Sequence, residues 1–508
     1  MNRKELWTLA VIIILALFFR FYQIESLPPG LYPDEAMNGN NALTALETGS
    51  FKVFYPDNNG REGLFINIQA LSVGIFGIHP WSLRIVSALF GTLTVVGLYL
   101  LAKELFGWHQ GALASFLLAI SFWHVNFSRI GFRAIMLPFI LVFGFYFFWR
   151  GLKRASLLNF GLAGLFWGLG VHTYISYRVA PLILIFILLT YWLSIKKDFS
   201  LIKYQQTQKQ IIKGLTVFAV ITVVVALPIL INFLQNPDHF LSRTGANLSV
   251  FNQENPTKEL RLSIIKTLGM FNFSGDYNWR HNIAGWPMLS LPIGILFVLG
   301  FFKELYHWLR RKHGHFSSTH TLIFSWFFVM LLPGFLSTEA PHALRTIGVI
   351  PVVMIFAAQG LYWIIIKLYK WHTLTDPHVN KQESRTLARF ALSIFLVSMV
   401  FLEYHHYFNV WGKNQETIGA FNQNYVDLAK EINNYPINIK KYLWVNVGGV
   451  LVNNIPVPAQ TIMFLTDTFT STKQKAKNIF YIYLTENQSY TETYDKNSVI
   501  LKLENNDL

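Results

Sequence analysis

Residues 6–24 (LWTLAVIIILALFFRFYQI) run almost directly into residues 27–36 (LPPGLYPDEA), and this junction decides how the rest of the chain is read. A transmembrane helix needs about 20 mostly apolar residues, and Leu6 to Ile24 supplies such a run behind Arg3 and Lys4. A cleaved signal peptide would have an apolar core of roughly 7–15 residues and a small-residue cleavage site. This run is longer, and Leu27-Pro28-Pro29-Gly30 follows it, so it reads as a retained helix. Asp34 and Glu35 then stand where the chain leaves a membrane.

Further apolar runs lie near residues 81–102, 112–128, 135–149, 157–173, 179–194, 214–233, 286–302, 319–336, 346–366 and 390–403. With the first they predict about eleven spans and an all-α polytopic membrane protein. Composition agrees. The 508 residues are 53% hydrophobic, 16% aromatic and only 14% charged, against about 25% charged in a soluble domain. That excludes disorder and argues against a water-soluble globule. The chain has no cysteine, which excludes a disulfide framework, thiolate-ligated zinc and a thiol nucleophile.

A net charge of +15 suggests nucleic acid, an anionic membrane or an anionic substrate. Its distribution decides among them. The run Gly63 to Ile78 is short, is interrupted by Asn67 and Gln69, and ends before His79-Pro80. If it lies on the membrane surface and the N-terminus is cytoplasmic, the inner segments hold 20 basic residues against six acids. That is the asymmetry the positive-inside rule expects, and a spanning 63–78 would destroy it. The run therefore reads as an interfacial helix, with the N-terminus inside and the C-terminus outside. The bulk charge orients the chain and does not point to nucleic acid.

Two outer segments are long, 25–80 and 234–285, and loops of that length are usually functional or disordered. Beyond residue 404 the character changes. A helix over Ala420 to Ile432 alternates with strand-like runs at Tyr442 to Val447, Ile462 to Leu465 and Ile479 to Leu484. This predicts a transmembrane domain over 1–403 and a small extracytoplasmic α/β domain over 404–508. The final polar stretch, 485–508, reads as partly mobile. There is no internal repeat and no low-complexity tract.

The pair Asp34-Glu35 is the strongest chemical signal. A carboxylate beside a lipid surface can act as general base toward an acceptor hydroxyl or amine. Equally, acids favour the first turn of a helix, and a helix-like segment from Met37 to Glu47 follows. A second signal is a set of arginines at the outer ends of apolar runs: Arg61, Arg129, Arg133, Arg178, Arg280 beside His281, and Arg345. Guanidinium forks bind phosphate bidentately, although any one of them can instead reach for lipid headgroups. Asp276, in Gly275-Asp276, is a further outer acid that could position a substrate, bind a metal or simply make a turn. His313/His315 and His405/His406 lack the spacing of a closed metal site. No Gly-rich phosphate loop of the soluble-nucleotide type is present.

These residues, in this order, resemble the GT-C class of membrane glycosyltransferases, and in particular the bacterial relatives of dolichyl-phosphate-mannose–protein mannosyltransferases and of aminoarabinose lipid A transferases. The matching stretches are Pro33-Asp34-Glu35-Ala36, Arg61-Glu62-Gly63-Leu64-Phe65, Leu83-Arg84 with Ser87 to Gly91, Ser128-Arg129, His172-Thr173-Tyr174 through Pro181, and Gly275-Asp276 through Arg280-His281-Asn282. The resemblance spans residues 6–403. Relatives often carry Lys-Pro-Pro where this chain has Arg61-Glu62-Gly63; the cation is kept and the prolines are not.

The resemblance implies a sugar donor on a polyprenyl phosphate, a lipid, glycan or protein acceptor, and catalysis at the extracytoplasmic face of a bacterial plasma membrane. It makes Asp34 and Glu35 catalytic, with Arg61, Arg129, Arg178, Arg280, His281 and Arg345 toward donor phosphate. Tyr174, Asp276 and Asn282 would position substrate. No cofactor is required, and a divalent metal remains an option. The competing readings are a transporter or flippase of lipid-linked sugars, and a ligase or polymerase of them. A transporter tends to show repeated halves and polar residues at the midplane, whereas here the polar candidates lie in outer loops.

Overall fold

The computed structural model describes residues 2–195, 202–241, 249–310, 318–375, 381–483 and 498–504. Helix α1 (Arg3–Phe21) opens on a capping box, in which the Asn2 side chain accepts from the Glu5 amide and Glu5 returns the bond. Helix α2 (Pro33–Thr48) follows in the first long loop, and strands β1 (Phe54–Tyr55) and β2 (Arg61–Glu62) pair antiparallel. Helix α3 (Gly63–Phe76) is the run whose side of the membrane was in question. At 14 residues it reaches only about 21 Å at 1.5 Å per residue, short of a bilayer core of about 30 Å.

The bundle continues through α4 (Pro80–Phe106), α5 (Trp108–Ile120), α6 (Phe122–Phe127), α7 (Met136–Arg154), α8 (Leu157–Gly170), α9 (Pro181–Ile195), α10 (Ile202–Gln235), α11 (Pro237–Leu241), α12 (Pro256–Gly269), α13 (Leu291–Arg310), α14 (Ser318–Phe335), α15 (Ile350–Thr375) and α16 (Lys381–Tyr404). Among the described residues six helical segments are long and apolar enough to cross a membrane, and shorter apolar helices accompany them. Every apolar run of the sequence falls on a helix, but their count as spans is not fixed by this. One unbroken core joins α1 to α16. Leu6, Val11, Ile14, Ile185, Leu189, Val220 and Val224 point outward, as lipid-facing surface does.

The expected single span over 112–128 is two helices, α5 and α6, broken at Ser121. A break in an apolar interior leaves carbonyls and amides without partners. Here distant side chains supply them. Arg20, buried at the end of α1, donates to the Leu118 and Ala119 carbonyls at 3.3 and 3.0 Å. Glu403, at the end of α16, accepts from the Phe122 amide at 2.8 Å.

After α16 a π-helical turn (His405–Trp411) leads to α17 (Gln415–Ala420) and α18 (Gln423–Asn434). Strands β3 (Lys440–Asn446), β6 (Ile479–Ile482) and β7 (Ser498–Glu504) form one parallel sheet in the order β6-β3-β7, and β4 (Leu451–Val452) with β5 (Ile455–Pro456) makes a hairpin. Leu443, Val445, Leu501 and Leu503 of the sheet pack on Tyr425, Ala429 and Ile432 of α18. One expectation is corrected. Residues 462–465 belong to helix α19 (Gln460–Leu465), because a short apolar run carries no period that separates strand from helix. Part of the final polar stretch is β7, while residues 484–497 and 505–508 lie outside the described residues.

Helices α19 and α20 (Ser471–Lys477) bring this C-terminal unit onto α2. The Asn40 amide donates to the Gln460 side chain at 2.8 Å, Thr461 donates to the Leu31 carbonyl at 2.9 Å, and the Gln423 side chain accepts from the Gly30 amide at 2.6 Å. Lys473 pairs with Glu47. Gly39 is required at this contact, since a Cβ there would lie 2.5 Å from the Phe464 ring.

Candidate active site

Helix α2 starts with Pro33 at its first position, which suits a residue without a donor, and both acids fall in its first turn. The helix-start reading of the pair is therefore realised. The two carboxylates nevertheless have different surroundings. Glu35 is fully buried and takes both ends of the Arg84 fork, at 3.0 and 3.2 Å, plus the Gly131 amide at 2.7 Å. Arg84 spends its remaining donors on the Pro28 and Gly30 carbonyls at 2.5 and 2.8 Å. Glu35 thus fastens the first loop to α4. Asp34 is half-buried, and its Oδ1 accepts from the neutral Asn58 amide at 2.6 Å.

Tyr32 links Asp34 to the second long loop. The Arg280 guanidinium lies over its ring at 4.0 Å. Burial pushes the Tyr32 phenol up, the Asp34 charge adds to this, and Arg280 opposes it, so the acid and the guanidinium both flank this ring. The loop itself is pinned by the bundle: Asn126 of α6 donates to the Arg280 carbonyl at 2.8 Å, and Trp411 donates to that of Trp279 at 2.8 Å.

Asp276 organises this loop. Its Oδ1 accepts from the Asn278 amide at 2.8 Å, and its Oδ2 accepts from the Ala343 amide at 2.8 Å and faces His281 Nδ1 at 2.8 Å. Burial works to raise its carboxyl, but the bond and charge from His281, with His342 and Asn278, outweigh this and leave it below the usual carboxylate range. His342 is pulled down to about 3 by burial first and then by the neighbouring His281, so its ring is neutral near neutral pH. Asn282 donates to the Trp286 carbonyl at 2.6 Å and shapes the loop from within.

A second group sits beside the first. Arg133 pairs with Glu62 at 2.6 Å with its guanidinium 5.6 Å from the Tyr174 ring centre. Arg178 donates to the Phe240 carbonyl at 2.8 Å and lies 3.9 Å from that ring centre. Arg61 donates to Asn38 of α2 at 2.6 Å, and Asn38 holds the Gly131 carbonyl.

Not every expected residue faces this space. Arg129 is fully buried, with its donors on the carbonyls of Phe19, Tyr22 and Leu27 at 2.7–2.9 Å; it staples the end of α1 and is not open to a phosphate. Arg345 is engaged by Ser337 and Glu339. Sequence reasoning missed Tyr32, Asn58 and His342, and gave no role to Arg84. Arg84 had a signal, a cation in the first turn of an apolar run, and His342 lies in the same Ala340-Pro341-His342 stretch as Arg345. Asn58 has none. His313 and His315 lie outside the described residues.

Residues 64–231 match the family model described as dolichyl-phosphate-mannose-protein mannosyltransferase. "Putative mannosyltransferase YkcB" of Bacillus subtilis is 27% identical over 208 residues, 39% of this chain and 28% of that protein. The archaeal oligosaccharyltransferase AglB of Archaeoglobus fulgidus, solved with an inhibitory peptide and a dolichol-phosphate, superposes with a TM-score of 0.56 at 15% identity, over 91% of this chain and 63% of that one. ArnT of Cupriavidus metallidurans, solved with undecaprenyl phosphate, superposes with a TM-score of 0.54 at 14% identity, over 94% of this chain and 89% of that one. The chain thus spans little more than a quarter of the curated relative and under two thirds of the archaeal enzyme. The resemblance read from the motifs is matched by the family model over 64–231, and the fold is shared with these two structures over 91% and 94% of the chain.

Proposed function

We propose that the protein transfers a sugar from a polyprenyl-phosphate donor to an acceptor at the extracytoplasmic face of a bacterial plasma membrane. In this reading the chain has about eleven spans, with the N-terminus inside and the C-terminal unit outside. The observation that carries it is the division of labour in the acidic pair: Glu35 is closed by Arg84, while Asp34 stays half-buried near Tyr32, whose ring carries Arg280.

Asp34 is then the base that takes the proton from the acceptor nucleophile, and Glu35 is its positioning residue. The acceptor oxygen or nitrogen attacks the anomeric carbon as the bond to the phosphate oxygen breaks, in one inverting displacement. The leaving polyprenyl phosphate needs no protonation, unlike the leaving oxygen in a glycosidase. It needs cations for the charge that develops, and Arg280, Arg178 and Arg133 flank the space where it would lie. No step of this scheme uses a metal. The lipid tail enters laterally between helices.

The test is transfer by the purified chain from a polyprenyl-phosphate mannose to a panel of lipid, glycan and peptide acceptors, wild type against Asp34→Asn. We expect loss of product with the thermal unfolding midpoint unchanged. Wild-type rates from the variant would overturn the assignment of Asp34. Movement of intact lipid-linked sugar between leaflets, without product, would favour a transporter.

A further inference from the structure

The cluster of Asp276, His281 and His342 is not used by the transfer scheme. We propose that these three residues form a divalent cation site of the zinc class that ties the loop around 276–282 to the loop around 339–346.

The donor set is two imidazoles and one carboxylate, which is the chemistry that borderline ions such as zinc take. The spacing suits it. Asp276 Oδ2 lies 2.8 Å from His281 Nδ1 and 3.9 Å from His342 Nδ1, and one donor atom from each residue falls within 4.8 Å of the others. Tetrahedral ligands on bonds of about 2.1 Å are roughly 3.4 Å apart, so the observed spacings bracket the required one, and side-chain adjustments on the order of 1 Å would close it. The His281 and Asp276 side chains are only 5% and 7% exposed, and His342 is 17% exposed. Two buried donors and a partly open third leave a fourth position for water or an anion.

His342 Nδ1 takes only a long contact from the Arg345 amide, at 3.4 Å, which a cation between His342 and Asp276 would displace. Asp276 is also oriented from outside the cluster, by the amides of Asn278 and Ala343. Metal-ligating carboxylates are commonly held by such an outer set of hydrogen bonds. In the metal-free form His281 Nδ1–H donates to Asp276. Binding at Nδ1 moves that proton to Nε2, so the ligand imidazole stays neutral.

The site is tested on the full chain in detergent, stripped with a chelator and titrated calorimetrically with zinc sulfate. We expect one zinc per chain, a raised unfolding midpoint, and tetrahedral absorption bands when cobalt replaces zinc. His342→Ala should weaken binding at least 100-fold while leaving the metal-free unfolding midpoint in place, and His342→Asp should restore part of it. His406→Ala, outside the cluster, should bind as wild type. Absence of stoichiometric zinc, or zinc binding that His342→Ala leaves unchanged, would overturn the proposal and leave a hydrogen-bonded cluster only. These readouts do not depend on sugar transfer, so failure of the glycosyltransferase reading would not be mistaken for failure of the site.

Discussion

Two sets of arginines stand at the loop-bearing face of the bundle, and they differ in what surrounds them. In the seam where α1, α4 and the α5–α6 break meet, Arg20, Arg84 and Arg129 are fully buried and spend their donors on main-chain carbonyls, on His124 or on Glu35. Both sets lie near aromatic rings, but around Tyr32 and Tyr174 fewer donors of Arg133, Arg178 and Arg280 are bound to carbonyls, Arg133 pairing instead with Glu62. A guanidinium saturated by carbonyls has nothing left for a ligand. One with few carbonyl partners keeps fork donors for an anion such as a phosphate. The first set builds the frame, and in the proposed function the second set borders the space where the donor phosphate would lie.

The sharpest way to break this division is Arg84→Ala. It strands Glu35, buried without its counter-ion, and loss of one partner of such a pair costs about 3–5 kcal/mol. We expect the thermal unfolding midpoint in detergent to collapse and transfer to vanish with it. Asp34→Asn should separate the two effects, with transfer lower by about 10²–10⁴-fold and unfolding unchanged; a drop in stability would move Asp34 into the frame. Arg280→Ala should cost about 1.5–3 kcal/mol of donor recognition, read as a raised KM for the polyprenyl-phosphate sugar with acceptor KM nearly constant. If acceptor KM rises instead, Arg280 borders the other substrate. The smallest effect should come from Gln460→Ala, which removes one acceptor of the buried Asn40 amide and costs about 1 kcal/mol. A midpoint equal to wild type would show that this bond adds nothing to the hold of the C-terminal unit on α2.

The helices were legible because a bilayer demands long apolar runs, and each run from 6–24 to 390–403 lies on a helix. The acidic pair was legible for the same reason, being charge at the mouth of such a run. What was not legible depends on partners far apart in the chain. Nothing near Ser121 announces the break in 112–128, because the groups that make it tolerable are Arg20 and Glu403. Arg129 looks from its position like Arg280, and only its packing under Phe19, Tyr22 and Leu27 separates them. The unequal fates of Asp34 and Glu35 likewise hang on Arg84 and Asn58, each more than twenty residues away.

The break at Ser121 also has a consequence for biogenesis. A ribosome delivers α5 and α6 to the membrane long before residue 403, so the Phe122 amide must wait, unpartnered, for nearly the whole bundle to be threaded. The Asn126 contact to the second long loop sits one turn beyond that amide, and α2 waits longer still, for Gln423 and Gln460. A nascent chain therefore carries its acidic pair in an unfinished setting, and the site is completed only when the last third of the polypeptide arrives.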